Sequence, residues 1–448
     1  MYRNRTLYQV HKHVLFSNGW DPETTITKNY MKIIEKGSGF DTNLMFGSEK
    51  LKDYENFDKI ILDNGDYFYV EQFSFFGISL QRFDLGECYV KTEKLIEEDK
   101  NFFYMLGDCL DFEKFELITL SDDILKKVEE GKCKIIFNVS TEPYSIHPPE
   151  FFYYVNKFAE RYNLTKDTFF VICGELLINN NNNYRFTIFN YLYFSEFVVF
   201  VNKMTPVYRD DIDALLKKLI ETNRNIEFEK RFLCYQRRSH IHRKALFYEV
   251  QNNEILKNNT FISLWTTYEH GYDRGFAKLG YTFEETDVMN EFFDNNQVDF
   301  SFDGEDLKNN LGPVMDIDFH KKTFLSVVSE STVWNRVLFI SEKTFKPMYC
   351  LQPFVVLSSP GLLKELKKRG YMTFDRWWDE SYDEEPNIKN RIKMICNILL
   401  ELSNKTDEEL KNMLIEMEDV LVHNFKMLTD DSFAGYHEIL NEISKKFN

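Results

Sequence analysis

The chain has 448 residues, 43% hydrophobic and 28% charged, a globular balance too long for one ordinary core and comfortable for two α/β domains. Its formal net charge is −17. That opposes a nucleic-acid scaffold or an anionic membrane surface as the natural partner, because both select a basic footprint.

Seven cysteines stand at 88, 109, 133, 173, 234, 350 and 396 with no CxxC pair. Such spacing fits reduced, buried thiols in a cytosolic protein and opposes a structural zinc site. The start, MYRNRTLYQVHKH, has no apolar h-region. No 18-residue apolar run follows, and the longest candidate, YLYFSEFVVFV, is broken by Glu196. The expectation is a soluble, cytoplasmic protein with no membrane insertion. The 43 Phe and 25 Tyr predict aromatic cores.

KIILDNGDYFYV (59–70) reads as strand, turn, strand around Asn64-Gly65. Residues 122–130 read as a helix stopped by Gly131. KCKIIFNVS (132–140) is a continuous apolar run of the parallel-strand kind. A helix over 148–164 with proline at its start and the strand TFFVICGE (168–175) complete a β-α-β unit, hence a parallel sheet with a right-handed crossover. NNNNN at 179–183 marks a surface loop, 191–201 another strand region, and 210–223 a helix.

A domain boundary is placed at 228. After it come the strand KRFLCYQR (230–237), a helix over 242–256, the strand TFISLW (260–265) and a polar, irregular stretch over 294–320. FLSVVSE, the Ser341-Glu342-Lys343 element and PFVVLS then follow, with a short helix over 362–369 ending at Gly370 and a mostly helical tail over 387–425. The fold expected is α/β, with two Rossmann-like domains, 1–228 and 229–448, facing a cleft. The last helix, 430–448, is available to pack back on the N-terminal domain.

Three constellations carry chemistry. CYQRRSHIHRKALF sets a strand end, the basic residues Arg237, Arg238 and Arg243, and a helix start in succession. Guanidinium groups at a helix N-terminus make a diphosphate site, against the plainer reading of a solvated basic loop. Glu330 ends a core strand, and Ser341, Glu342 and Lys343 follow. Lys343 suits a diphosphate and Glu342 ribose hydroxyls; alone, the triplet reads equally as a helix capped by Ser341. Glu330 faces either a ligand or a buried partner, and Lys346 either a ligand or solvent. Glu142, before Pro143 at the end of a predicted strand, suits a general base that deprotonates an acceptor hydroxyl. It also suits a loop carboxylate, and Asp63 and Glu175 end predicted strands as well.

The remaining clusters are weaker. Trp377-Trp378 within FDRWWDESYDEE reads as packing between the domains. His240 and His242 have no third ligand at metal spacing, so no metal is expected; the DxD pairs Asp211/Asp213 and Asp316/Asp318 are weak signals. No GxGxxG, GxxxxGK[ST] or GxSxG occurs, which removes support for hydride transfer, P-loop hydrolysis and elbow-serine hydrolysis.

Over roughly 230–375 the chain resembles the α-1,3-fucosyltransferase-like glycosyltransferases and related glycosyltransferases of large viruses and phages. HIHRKALF is similar to the family's H-x-x-R-x-x-F, with Phe247 one place late. Glu330, Ser341-Glu342-Lys343 and Gln352-Pro353-Phe354-Val355-Val356 follow the family's order. The chain departs from it at Ser329-Glu330-Ser331, where the Asn is missing, and at Phe339-Ile340, where a Tyr would precede the triplet.

The resemblance implies a GT-B fold, a nucleotide-sugar donor in the C-terminal domain, and inversion without a metal or other cofactor. By that likeness Arg243 and Lys343 hold the diphosphate and Glu342 the ribose. The acceptor is a glycan or another hydroxyl compound. Two alternatives stand beside this reading. One is glycosylation of a hydroxymethylated base in viral DNA, which the net charge disfavours. The other is a non-catalytic nucleotide-sugar or glycan-binding module.

Overall fold

The structure is a computed structural model and describes residues 59–62, 65–71, 96, 99–106, 120–140, 150–178, 180, 183–195, 198–199, 212–236, 239–265, 275–295, 299–300, 317–429 and 434–447. The chain divides into two compact units, Met1–Tyr193 with Phe433–Asn448, and Phe194–Ser432. Both are α/β with parallel strand pairing.

In the first unit β1 (Lys59–Leu62) and β2 (Gly65–Glu71) form an antiparallel pair. β3 (Phe102–Leu106), α1 (Asp122–Glu129), β4 (Cys133–Val139), α2 (Glu150–Arg161), β5 (Phe169–Cys173) and β6 (Thr187–Asn190) follow. From β2 to β6 every pairing is parallel, and strand order follows chain order. β4 and β5 are buried at every residue, which is why their sequences run apolar without alternation.

α2 covers β4 and β5 with aromatic rings. Phe151 stacks on Phe137, and Phe158 meets Phe169. α1 begins on Ser121, whose Oγ accepts from Ile124 N, and ends on Gly131 at φ +77°. Gly131 N donates to Val128 O and Lys132 N to Lys127 O, the double closure of a Schellman turn. The C-terminal helix Ala434–Ser444 returns to this unit. Beyond it, Phe447 meets Phe103 edge-on and Lys446 pairs with Asp167.

The second unit opens with α3 (Ile212–Arg224) and continues through β7 (Phe232–Cys234), α4 (Ile241–Gln251), α5 (Glu254–Asn259), β8 (Thr260–Ile262), β9 (Leu264–Trp265), α6 (Phe283–Asn295) and β10 (Asp299–Phe300). After a helical turn, Ile317–His320, come β11 (Leu325–Ser329), α7 (Glu342–Tyr349), β12 (Phe354–Leu357), α8 (Leu362–Lys368), α9 (Ile388–Ser403), α10 (Asp407–Glu416) and α11 (Glu418–Thr429). The main sheet has the order β12-β11-β7-β8, all parallel. The chain runs outward from β7 to β8, then crosses back to β11 and runs outward to β12. Strand order therefore reverses between β7 and β11. Right-handed crossovers place α4 and α7 on opposite faces of this sheet. Accordingly α4 packs on α9, and α7 on α11.

Several sequence expectations change. The boundary falls at 193–194 rather than 228, because α3 belongs with the C-terminal helices. Arg224 pairs with Glu418 through two nitrogens, at 2.9 and 2.7 Å, and Asn223 Nδ2 donates to Leu351 O. The helix expected over 242–256 breaks at Asn252-Asn253, where the Asn253 side chain caps α5.

The stretch over 191–201 is helical at 193–195 and 198–199, and the strand lies earlier, in β6. The polar region over 294–320 contains β10 and a helical turn. Trp378 stacks on Phe374 inside the second unit, and Trp377 lies against Arg376. The described cysteines, 133, 173, 234, 350 and 396, are buried free thiols. Among the described residues, no helix is long and apolar enough to cross a membrane.

Gly131→Ala is expected to lower stability in urea unfolding by about 1 kcal/mol, because an alanine resists the left-handed backbone; Gly131→Asn should cost less.

Candidate functional site

The chain leaves β11 at Glu330, crosses a loop and enters α7 at Ser341. Period-2 alternation puts Glu330 on the same side of the strand as Ser326 and Val328, the side covered by α7. Glu330 is 0% exposed and both its oxygens are engaged. Oε1 accepts from Ser341 N (3.1 Å) and Thr344 Oγ1 (2.5 Å); Oε2 accepts from Ser341 Oγ (2.6 Å) and Ser331 N (3.1 Å). A carboxylate in the interior persists only when surrounded by donors, and the start of α7 supplies them. Glu330 thus positions Ser341 and α7 and offers no open oxygen to a ligand. Of the two readings of Glu330, the buried and partnered carboxylate is the one its surroundings match, with Ser331, Ser341 and Thr344 as the partners.

Ser341 caps α7, its Oγ accepting from Lys343 N (3.4 Å). The same Oγ accepts from Lys343 Nζ (3.1 Å), and Lys343 Nζ also donates to Glu342 Oε1 (2.8 Å). The Lys343 and Glu342 side chains are 26% and 12% exposed, so this pair forms the accessible edge of the group. Burial raises the Glu342 carboxyl, but Lys343 and Lys346 outweigh it and hold it at about 2. Lys346, one turn along the helix, is buried rather than directed to solvent.

Arg243 approaches the same residue from the opposite face of the sheet. It is buried in α4, and its Nη2 donates to Ser329 O (3.2 Å) and Glu330 O (3.1 Å). His242 donates through Nε2 to Glu330 O (3.0 Å). Burial, with Arg243 and His240 nearby, keeps the His242 ring neutral, well below the ordinary imidazole range. Arg243 and Lys343 therefore flank one residue: the guanidinium holds the Glu330 carbonyl, and the ammonium shares Ser341 with the Glu330 carboxyl. This junction lies at the carboxyl ends of β7 and β11, where strand order reverses. In open parallel sheets that crevice is the ligand position.

Two buried polar atoms close the same strand ends without a hydrogen-bond partner, Gln236 Oε1 after β7 and Ser329 Oγ at the end of β11. A third, Ser359 Oγ, follows β12. Buried polar atoms are ordinarily paired, so each of these would be satisfied by a polar ligand group or an ordered water.

Sequence reading missed Arg391, in the first turn of α9. It is 1% exposed and binds the carbonyls of Val333 (3.3 Å), Ser358 and Glu385, so it ties together the loops leaving β11 and β12. Burial lowers it to about 10, against the opposing pull of Asp383 and Glu385. No local pattern announces such a role, because the bound groups are backbone carbonyls 33 and 58 residues away in sequence. Gln352 is structural. It joins Thr323, His320 and Ser326 at the amino ends of β11 and β12, away from the junction.

Glu142, Arg237 and Arg238 lie outside the described residues, as do Asp63, Asp211 and Asp316. Glu175 is buried just beyond β5 in the first unit. Among the described residues no group of three or more His, Cys, Asp or Glu could hold a metal ion. A small depression lined by Ile220, Leu351, Leu414 and Leu421 lies at the far end of α7, with Asn223 and the Arg224–Glu418 ion pair as its polar residues. No protein-family model and no curated protein matches the chain.

Glu342 sits below the 4.5 of an ordinary glutamate, so it stabilises the fold above that pH and the contribution disappears as pH falls toward 2. The span corresponds to roughly 3 kcal/mol. Acid titrations of unfolding should show Glu342→Gln less stable than the parent at pH 7 and converging with it by pH 2. Parallel curves across that range would remove the ion pair from the account.

Proposed function

We propose that the protein is a glycosyltransferase with a GT-B arrangement, moving a sugar from a nucleoside diphosphate to an acceptor hydroxyl without a metal. The observation that carries this is the Ser341-Glu342-Lys343 group at the start of α7, seated on Glu330 at the strand-order reversal. In the proposed complex the donor diphosphate meets Lys343, with the positive end of α7 behind it. Glu342 accepts from the ribose hydroxyls. Lys346 adds positive potential from within the helix, and Arg243 fixes the β11 end from the other face.

The largest charge to develop in such a transfer is on the leaving diphosphate, and fixed cations stabilise it most where water is excluded. The acceptor side is assigned to the first unit, with Glu142 as the general base. Its place after β4 supports that role, as does the rising acidity of the attacking hydroxyl as the glycosidic bond forms. The acceptor is a glycan or another hydroxyl compound, and the cytoplasm is the proposed location. The net charge of −17 favours such acceptors over DNA.

Thermal-shift titration with UDP, GDP, CDP and their sugars tests the donor site. A rise in Tm confined to one nucleotide and abolished by Lys343→Ala is expected. Equal responses to all three, or a response retained in Lys343→Ala, would refute it. Release of free sugar from the donor, lost in Glu142→Gln with nucleotide binding intact, would separate an enzyme from a binding module.

A further inference from the structure

The donor group at the start of α7 is already paired with itself. Lys343 Nζ is held by Glu342 Oε1 at 2.8 Å and by Ser341 Oγ at 3.1 Å. The Glu342 carboxylate is thereby held at the helix start, against the lysine. A carboxylate thus occupies the position against the lysine that an incoming phosphate would take. Within 341–346 Glu342 faces Lys343 directly and lowers the attraction that Lys343 and Lys346 would exert on an anion. To reach Lys343 a bare polyanion must displace Glu342.

We propose that Glu342 is a selectivity gate that makes Lys343 available only to a phosphate carrying a polyhydroxy neighbour. This deepens, and rests on, the reading of Ser341, Glu342 and Lys343 as the donor site. Ribose hydroxyls are hydrogen-bond donors, so they offer the Glu342 oxygens a replacement for the lysine ammonium. A nucleoside diphosphate satisfies both halves of the separated pair at once, the hydroxyls taking Glu342 and the phosphates taking Lys343. Inorganic pyrophosphate satisfies only the lysine and leaves Glu342 facing a like charge. The exposure of both side chains, 12% and 26%, lets the pair open without unfolding α7. The gate would keep free phosphate and pyrophosphate from occupying a site built for a nucleotide.

Isothermal titration calorimetry of the full chain with inorganic pyrophosphate, UDP and GDP tests this. The parent is expected to bind pyrophosphate far more weakly than the nucleotide it prefers. Glu342→Gln should tighten pyrophosphate binding by about tenfold, because the competing charge is gone. It should not improve the nucleotide to the same degree, so the preference between the two shrinks. Glu342→Asp, one methylene shorter, should loosen the pair and give a smaller gain in the same direction, which keeps the test intact should the glutamine variant fold poorly.

Adding Lys343→Met to Glu342→Gln should abolish the gain. Pyrophosphate binding that is unchanged or weakened in both Glu342 variants would overturn the gate. If no variant binds UDP or GDP while Glu342→Gln still gains pyrophosphate, the gate stands and the nucleotide-donor reading falls.

Discussion

An interior carboxyl group can be tolerated only if donors surround it, and Glu330 has four. They come from its own loop, from the cap of α7 and from the third residue of that helix. The carbonyl of the same residue is gripped from the other face by Arg243 and His242. One residue therefore fastens a strand end to helices on both sides of the sheet. Removing a single partner from such an arrangement leaves a buried polar group uncompensated, at a cost of about 3–5 kcal/mol if it is charged. The position of Lys343 follows from this fastening, since Ser341, which Glu330 holds, also receives the ammonium.

The acidic balance of the chain and the paired charges of the junction are compatible because each operates at its own range. At physiological salt, exposed charges further apart than about 8 Å are largely screened, so the net −17 acts mainly on large, diffuse partners. At the junction the cations are partly or wholly buried, and screening there is weak. There Lys343 and Lys346 act on Glu342 at short range, whereas a nucleic acid would respond to the whole acidic surface.

Strand runs such as KIIFNV, LSVVS and FVVL were legible because parallel strands covered on both faces need no polar alternation. Ser341 was legible as a cap, and Gly131 as a helix stop, for local reasons of hydrogen bonding and backbone sign. The order Glu330, Ser341, Lys343 pointed to one site, and the structure brings the three together. What sequence could not show was direction. Alternation states that Glu330 shares a side with Val328, but which helix covers that side is a tertiary fact. So Glu330, open in sequence to a ligand or to a buried partner, proves to be enclosed by donors of its own loop and of α7. Arg391 was invisible for the same reason, and α3 was assigned across the boundary because its partners, Glu418 and Leu351, lie far along the chain. The strand-order reversal also emerges only from pairing, since the four strands of the second sheet look alike in one dimension.

The most direct test is a crystal structure of the protein with the nucleoside diphosphate that stabilises it. The expected density places a phosphate oxygen within hydrogen-bond distance of Lys343 Nζ at the carboxyl ends of β7 and β11, with Glu342 swung off the lysine and Glu330 unmoved. A nucleotide bound elsewhere, or bound there with the Glu342–Lys343 pair intact, would contradict the central claim.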